Sequence, residues 1–345
     1  MKNFKYFNTN HLTSLINYRE GETKFGEKVK LISENEDLDM FLATTDAQFI
    51  IYGIKESIGV VANYGRPGTE SAFDQAMSTL VNIQHNKLCK GSWTSILGFF
   101  DFSSMQKEIE NMDLSLPDNR KFLNQWVVEI DKQVTFLNTK IIKAGKTPII
   151  IGGGHNNSYG NIKGLSLASN QSVNVVNFDA HTDFRALEGR HSGNGFSYAF
   201  DQDFLDRYFI FGIHENYTSK YQFSKLKEYT ERIKYATYEE LEVREEKDFK
   251  LEARKAREFL KSKPYGIEID LDAIENISSS AITPCGYSTT KVRNFVHILG
   301  NHSSASYLHL CEAAPSLDTT KSSLVGKLIS YLITDFIKAK KSIEE

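Results

Sequence analysis

Short apolar runs rich in β-branched and aromatic residues alternate along the chain with longer segments whose apolar positions recur at helical spacing. The short runs predict eight β-strands, at residues 49–54, 95–100, 148–151, 173–178, 208–212, 233–236, 265–269 and 305–310. Helical patterns lie between most of them, at residues 71–81, 119–143, 252–260 and 325–336. This alternation is typical of βαβ units, so we expect an α/β fold with a mostly parallel sheet and helices on both faces.

The length of 345 residues allows one large α/β domain or two ordinary ones. No linker, internal repeat or low-complexity tract divides the chain, which favours a single domain across residues 1–345. Residues 1–40 are predicted to form an extension packed on that domain, and residues 338–345 a solvated tail.

Charge and composition narrow the classes of partner. The net charge of −3 gives no positive field for nucleic acid or an anionic membrane. No stretch approaches the roughly 20 apolar residues of a membrane span, and residues 1–18 contain no apolar segment of the kind found in signal peptides. Cys89, Cys285 and Cys311 have unrelated spacings, which argues against a disulfide framework and favours a reducing, cytoplasmic location.

The predicted strand 173–178 ends in Asp179-Ala180-His181-Thr182-Asp183. In an extended segment, residues i, i+2 and i+4 point to the same side, so Asp179, His181 and Asp183 can converge on one point. Taken alone, such a triplet is as consistent with the polarity of a surface loop as with a metal site.

Two further segments place metal-type ligands at predicted strand ends. The 148–151 strand runs into Gly152-Gly153-Gly154-His155, and the 265–269 strand into Asp270-Leu271-Asp272. Alone, the first could be a tight turn or a phosphate-binding loop, and the second a helix cap or a solvated strand end. In a parallel sheet, however, ligands bind outside the carboxyl ends of the strands, and all three segments are expected there.

Together the three segments supply four carboxylates and two imidazoles. Buried like charges repel unless protons or cations neutralise them, and this set suits two divalent cations. Oxygen-rich ligation with some imidazole favours manganese, with iron, cobalt or nickel as alternatives, over a structural zinc site.

The three motifs, in this order and at these separations, resemble the metal-binding motifs of the ureohydrolases, the family that includes arginase, agmatinase and formimidoylglutamase. The resemblance spans about residues 63–315 and implies an arginase-type three-layer fold around an eight-stranded sheet, with two Mn²⁺ ions per subunit. The implied ligands of the first ion are His155, Asp179, Asp183 and Asp270. Those of the second are Asp179, His181, Asp270 and Asp272, with Asp179 and Asp270 bridging.

Two metal ions roughly 3.5–4 Å apart can share a water and lower its pKa towards neutrality. The resulting hydroxide would attack the trigonal carbon of an amidine or a guanidine. The resemblance implies that Asp183 carries a proton to the leaving nitrogen. It also implies that Glu312, at the end of the last predicted strand, pairs with the amidinium and holds its carbon in place.

Three segments resemble formimidoylglutamase more than arginase. Arg185 stands two residues after Asp183, where a guanidinium suits a carboxylate-rich substrate. The segment 190–196 puts Phe196 where arginase has a substrate-side histidine, and it makes Ser192 and Asn194 candidate substrate contacts. The third segment is the loop 59–68.

This loop resembles the Gly-Val-x-x-Asn-x-Gly-Arg loop of formimidoylglutamases and adds Asn63 and Arg66 to the candidate contacts. Formimidoylglutamate is dianionic at neutral pH, so Arg185 and Arg66 could each pair with one carboxylate. Arg190 is a weaker candidate for such a contact, because an arginine beside a loop is commonly solvated. His191 and His214 lie beside predicted strand ends and could line the pocket, the more common alternative being a hydrogen-bonded loop histidine.

Two features depart from the formimidoylglutamase pattern. Asn156 follows the motif histidine where many of these enzymes have glutamate, and only residues 283–286 resemble the usual continuation after the last Asp-x-Asp. The substrate is therefore open between formimidoylglutamate and the guanidino substrates of arginase, agmatinase or a guanidino-acid hydrolase.

The sequence thus predicts a binuclear-manganese hydrolase of C–N bonds other than peptide bonds, with a small, dianionic substrate. Formimidoylglutamase activity would place it in histidine degradation, and the family resemblance implies a homo-oligomer. A non-catalytic arginase-like binding protein is the alternative from another class, and the presence of all six metal-type ligands argues against it.

Overall fold

A mixed β-sheet forms the middle layer of the protein, in a computed structural model that describes residues 1–320 and 322–343. Within these residues its nine strands are β1 (Phe4–Tyr6), β2 (Phe49–Lys55), β3 (Thr94–Asp101), β4 (Thr147–Ile151), β5 (Val173–Phe178), β6 (Leu205–Ile213), β7 (Ile233–Thr237), β8 (Tyr265–Asp270) and β9 (Ala305–Cys311). Their order across the sheet is β1-β3-β2-β4-β9-β8-β5-β6-β7. Only β1 is antiparallel to its neighbour, so the predicted α/β class and parallel sheet are confirmed.

Helices connect the strands. The α-helices are α1 (Thr9–Leu15), α2 (Leu38–Thr44), α3 (Ile58–Ala62), α4 (Ala72–Leu80), α5 (Ser103–Ile109), α6 (Pro117–Lys143), α7 (Asn157–Ser169), α8 (Gly195–Asp201), α9 (Lys220–Glu228), α10 (Phe249–Leu260), α11 (Thr289–Gly300) and α12 (Leu324–Lys341). One apolar core contains side chains of α4, α10, α11 and α12, and the other side chains of α2, α6, α7 and α8.

The sheet separates these two cores because successive strand residues point to opposite faces. In β5, Val176 and Phe178 belong to the core with α12, whereas Val173 and Val175 belong to the core with α6. Both faces of the central strands are therefore covered, which explains why they consist of continuous apolar runs.

The prediction of eight strands is wrong by one. The ninth strand, β1, lies in the N-terminal segment and pairs with β3 through Phe4, Lys5 and Tyr6. Three residues are too short to show the two-residue periodicity of a strand. The side chains of Phe7 and Phe25 are buried, so this segment packs against the rest of the protein.

The prediction of a solvated tail from residue 338 is also wrong for the part that the structure describes. Helix α12 continues to Lys341 and buries Ala339, and the Nζ atom of Lys340 donates to the carbonyl oxygen of Ala305 over 2.8 Å. Lysine side chains can cover apolar surface with their methylene groups. A lysine-rich segment can therefore form a packed helical turn, although its composition suggests a solvated tail. Residues 344–345 lie outside the described residues.

Within the described residues, no helix combines the length and the apolar character that crossing a membrane requires. The sheet order explains where a polar site can form instead. Strands β4, β9, β8 and β5 are neighbours, and the three metal-type motifs and Glu312 lie at the carboxyl ends of these strands. The fold therefore brings these motifs to one stretch of one sheet edge, where parallel α/β sheets bind ligands.

Candidate active site

The six residues expected to bind metal come together at this edge in two overlapping groups. In each group, the potential ligand atoms all lie within 4.8 Å of one another. The first group is His155, Asp179, Asp183 and Asp270, and the second is Asp179, His181 and Asp272. The expected sharing of Asp179 is therefore present in the geometry, whereas Asp270 falls in the first group alone.

The first group is arranged around the Nδ1 atom of His155. This nitrogen lies 2.8 Å from a carboxylate oxygen of Asp183, 3.1 Å from one of Asp270 and 3.4 Å from one of Asp179. The imidazole ring and Asp179 are completely buried. The chain thus gathers a ring nitrogen and three carboxylates in a space from which water is largely excluded.

Local backbone hydrogen bonds orient the aspartates. The Oδ1 atom of Asp179 accepts from the backbone N–H of His181 over 2.6 Å, and Oδ1 of Asp270 accepts from the N–H of Asp272 over 2.8 Å. Asp183 has a φ of 42°, in the left-handed region that non-glycine residues seldom adopt. Strained backbone of this kind is typical of functional sites.

The charges of the cluster are not balanced by its own side chains. Burial, together with the neighbouring carboxylates of Asp272 and Asp179, holds the pKa of Asp270 well above its ordinary value. Burial alone would also raise the pKa of Asp179, but hydrogen bonds with His155 and His181 hold it below its usual range.

An unpartnered atom points to the same conclusion. The Oδ1 atom of Asp272 is buried and has no hydrogen-bond partner among the described residues. Buried carboxylates are stable when a cation or a hydrogen-bond donor compensates them. The donor set and this oxygen therefore fit divalent cations.

The glycine-rich loop before His155 is held by a residue that the sequence analysis missed. The Oε1 atom of Glu56 accepts from the backbone N–H of Gly154 over 2.9 Å and from the side-chain amides of Asn157 and Asn156 over 2.7 and 3.2 Å. Its Oε2 atom accepts from the N–H of Gly59 over 3.1 Å. Glu56 directly follows β2, and this position at the carboxyl end of a predicted strand could have marked it as a residue of the site.

A buried polar layer lies behind His155. The Nε2 atom of His155 is 3.6 Å from Oε2 of Glu268, and the same oxygen contacts Nδ1 of His309. The Oε1 atom of Glu268 accepts from the Tyr307 hydroxyl over 2.7 Å. Glu268 and His309 are register partners in β8 and β9. The sequence analysis also missed this pair. A glutamate within the apolar run of β8 and a histidine within that of β9 could have indicated a buried polar contact.

A cavity of 590 Å³ opens over the cluster and is lined by His181, Asp183, Asp270 and Asp272. Glu312 also lines it, as expected from its position after β9. Its Oε1 atom accepts from the backbone N–H of His155 over 2.8 Å. Burial raises the pKa of Glu312 to about 8, and the residue has a positive φ of 60°.

Three of the five expected substrate-binding residues meet in the wall of this cavity: Asn63, Arg185 and Ser192. The Nη1 atom of Arg185 donates to the side-chain oxygen of Asn63 over 3.0 Å, and the amide of Asn63 lies 3.1 Å from the hydroxyl of Ser192. Tyr217, Tyr221 and Gln222 complete another part of the wall. Tyr217 lies in the turn after β6, and Tyr221 and Gln222 lie in the first turn of α9; the sequence analysis did not identify a role for any of the three.

The structure corrects the assignment of the other two residues. Asn194 is fully buried, and its side chain is hydrogen-bonded to Arg190, His191, Ala186 and Gly189. It therefore stabilises the loop and does not face the cavity. Arg66 is exposed, does not line the cavity, and donates to the carbonyl oxygen of Ser280 over 3.4 Å.

Two other expectations for this loop need correction. Arg190 is buried, not solvated, and forms two hydrogen bonds with Asp131 of α6, of 2.9 and 3.2 Å. Phe196 does not face a substrate, because it is fully buried, stacks on Tyr208 and contacts the ring of His155 edge-on.

The two loop histidines differ: His191 has the hydrogen bonds that the sequence suggested, whereas Nε2 of His214 is buried without a hydrogen-bond partner among the described residues. His191 accepts from the backbone N–H of Gly193 and contacts Glu188. Burial and then the charge of Arg185 lower the pKa of His191 to about 4. His214 is buried and stacks between the rings of Tyr217 and Tyr238.

A parallel α/β sheet with an acidic, imidazole-containing cluster at its carboxyl edge is the arrangement expected of a metal-dependent hydrolase. A sequence model of the arginase family matches residues 47–334. The chain belongs to the arginase family.

Individual relatives share less than a third of their aligned residues with this chain. The chain is similar to a formimidoylglutamase of Macrococcus caseolyticus, with 25% identity over 294 residues that cover 82% of this chain and 83% of the relative. It is also similar to a formimidoylglutamase of Streptococcus gordonii, with 29% identity over 183 residues, 51% of this chain and 49% of the relative.

Solved structures share the fold. A Trypanosoma cruzi formiminoglutamase determined with Mn²⁺ has a TM-score of 0.69 at 17% identity and covers 92% of this chain and 99% of its own. Formimidoylglutamase from Bacillus subtilis has a TM-score of 0.71 at 16% identity and covers 94% of both chains.

Replacing Glu56 by glutamine tests its role in the glycine-rich loop. A glutamine has one oxygen for four N–H donors and turns its own amide towards one of them. We expect a loss of about 1–3 kcal/mol in the free energy of unfolding, measured in urea. Glu129→Gln, on the exposed face of α6, is the control and should change this free energy by less than about 0.5 kcal/mol. Equal losses in the two variants would contradict the role of Glu56.

Proposed function

We propose that this protein is a manganese-dependent amidine hydrolase that converts N-formimidoyl-L-glutamate and water to L-glutamate and formamide, a step of histidine degradation. The observation that carries the proposal is the convergence of the six metal-type ligands beneath a cavity that also holds Glu312 and Arg185. The formimidoylglutamase names of the similar proteins support the choice of substrate.

The residues that would hold the two ions are those of the two groups at the sheet edge, with Asp270 of the first group also serving the second ion, as the family resemblance implies. Manganese suits them because carboxylate oxygens outnumber imidazole nitrogens. His155, Asp179, Asp183 and Asp270 would bind one ion, and Asp179, His181, Asp270 and Asp272 the other. When bound, the two ions would supply Lewis acidity and a water with a lowered pKa.

Glu312 and Asp183 would perform the remaining chemistry. Glu312 lies beside the cluster and would accept hydrogen bonds from the amidinium, which places the reacting carbon over the metal centre. Asp183 would take a proton from the attacking water and pass it to the α-nitrogen of the glutamate portion. Protonation of this nitrogen lets the C–N bond break, so that glutamate leaves and the other nitrogen remains in formamide.

Arg185 would bind a carboxylate at the far end of the substrate. Its guanidinium lies in the cavity wall and has five N–H donors, and it contacts Asn63 and Glu188 there. A guanidinium pairs with a carboxylate through two parallel hydrogen bonds. This arrangement favours an anionic substrate over agmatine, which carries no carboxylate.

A substrate panel tests the proposed activity. Manganese-loaded protein is given formimidoylglutamate, arginine, agmatine and guanidinobutyrate, and the release of formamide, urea and ammonia is measured. We expect formamide and glutamate from the first compound alone. Arg185→Asn should reduce kcat/KM for it by about 10²-fold, because a paired charge is lost. Urea release from a guanidino compound would overturn the proposed substrate but leave the metal chemistry in place.

Glu312→Gln tests the orientation of the amidinium. The glutamine keeps one acceptor but lacks the carboxylate charge that Glu312 gains once cations and an amidinium offset its raised pKa, so we expect kcat/KM to fall by roughly 10²-fold or more. The manganese content per subunit, measured by elemental analysis, should stay the same because Glu312 is outside both ligand groups. A fully active variant would exclude this role for Glu312.

We also propose that the protein is a cytoplasmic homo-oligomer. Cys89, Cys285 and Cys311 are free thiols, which suits a reducing compartment. Helix α6 exposes Phe122 and Phe136 to 43% and 49%, and apolar side chains of this size are common in subunit interfaces. We expect light scattering to give a mass of at least two chains, and a monomer at micromolar concentration would refute the assembly.

A further inference from the structure

A closed set of hydrogen bonds surrounds Arg185 in the cavity wall. On one side, Nη1 of Arg185 donates to Asn63, whose amide in turn contacts Ser192. On the other side, Nη2 lies 3.0 Å from the Oε1 atom of Glu188. The backbone N–H of Arg185 donates to the carbonyl oxygen of Gly193 over 3.1 Å, so the residue is tied to the loop at both ends.

The Oε1 atom of Glu188 has a second partner, Nε2 of His191, at 3.3 Å. The Nδ1 atom of this histidine accepts from the backbone N–H of Gly193 over 3.1 Å. Its proton therefore resides on Nε2, which donates to Glu188. The hydrogen bond from His191 thus holds the carboxylate of Glu188 against Arg185, and His191 itself is uncharged near pH 7.

The charge of Arg185 matters because the cavity is otherwise acidic. Among the described residues that line it, Arg185 is the only arginine or lysine, whereas Asp183, Asp270, Asp272 and Glu312 are carboxylic acids. An anionic substrate thus depends on this guanidinium at the end remote from the metal centre. In the structure, Glu188 already neutralises it.

The contact is easy to break. The side chains of Arg185 and Glu188 are 44% and 48% exposed, and exposed ion pairs contribute little net stability. A substrate whose amidine is held at the metal centre presents its far carboxylate to Arg185 at a high effective concentration, which lets this carboxylate compete with Glu188. Arg185 can therefore exchange the carboxylate of Glu188 for that of a substrate.

We propose that Glu188 is an internal stand-in for the substrate carboxylate: it occupies Arg185 in the free enzyme and gives it up when an anionic substrate binds. This role rests on the proposed function, because it assumes an anionic substrate. It makes Glu188 a specificity residue that weakens binding of every anion at Arg185 and that only a well-matched substrate overcomes.

The opposite role, in which Glu188 positions Arg185 for binding, predicts an effect of opposite sign. If Glu188 only orients the guanidinium, its replacement should weaken the binding of an anion. If it competes for the guanidinium, its replacement should strengthen that binding. Glu188→Gln separates the two because glutamine still offers an oxygen to Arg185 and His191 but carries no charge.

The experiment measures the dissociation constant of glutarate, a dicarboxylate without an amidine, by titration calorimetry with manganese-loaded enzyme. We expect Glu188→Gln to bind glutarate about three- to tenfold more tightly, and to show the same change in KM for formimidoylglutamate rather than in kcat. The gain should shrink as the salt concentration rises, because screening weakens the charges.

The matched control is Glu129→Gln. Glu129 also contacts a cation three residues away, Lys132, on the exposed surface of α6, so the variant changes the net charge equally without touching the cavity. Its glutarate affinity should equal that of the original protein. In an Arg185→Asn background, Glu188→Gln should have no effect beyond that of the control, since the competition requires Arg185.

Unchanged or weaker glutarate binding by Glu188→Gln would overturn the proposal. The outcome is separable from the test of the overall function. If the substrate panel showed only guanidine hydrolysis, formimidoylglutamase activity would be refuted, and the glutarate titration would still report whether Glu188 competes for Arg185.

Discussion

The crowding of carboxylates at the carboxyl ends of β4, β5, β8 and β9 is the constraint on which the rest of this structure depends. Asp179 and Asp270 approach the same ring nitrogen of His155, and Asp272 has a buried oxygen without a hydrogen-bond partner among the described residues. Such an arrangement is unfavourable unless cations compensate it and the surroundings prevent the side chains from moving apart. Much of the nearby structure supplies this rigidity.

Two buried glutamates restrain the cluster from different sides. Glu56 accepts hydrogen bonds from the glycine-rich loop and from Asn157, and so stabilises the backbone on either side of His155. Glu268 lies behind the imidazole and is itself held by Tyr307 and His309. Groups that hold a metal-binding histidine in this way set its orientation and its basicity.

The cavity wall depends on a third buried charge. Arg190 connects Asp131 of α6 to Asn194 in the loop and to the backbone oxygen of Asn156 at the start of α7. This anchor leaves Arg185, five residues earlier, exposed between Asn63 and Glu188. The loop thus combines a rigid end, which shapes the wall, with an exposed end that can exchange partners.

The sequence by itself determined the α/β class, the eight longer strands and the six residues of the cluster, because each polar motif directly follows an apolar strand run and so marks the carboxyl end of a parallel strand, where such side chains meet. It missed β1 because a three-residue strand has no period, and it missed Glu56 and Glu268 because a single acid at or within a strand shows its role only once its partners, which are distant in sequence, are known. Only the tertiary structure decided which loop residues face the cavity: Asn63, Arg185 and Ser192 do, whereas Asn194 and Arg66 do not. Loop side chains take their direction from partners distant in sequence, such as Asp131 for Arg190, and spacing along the chain does not encode those contacts.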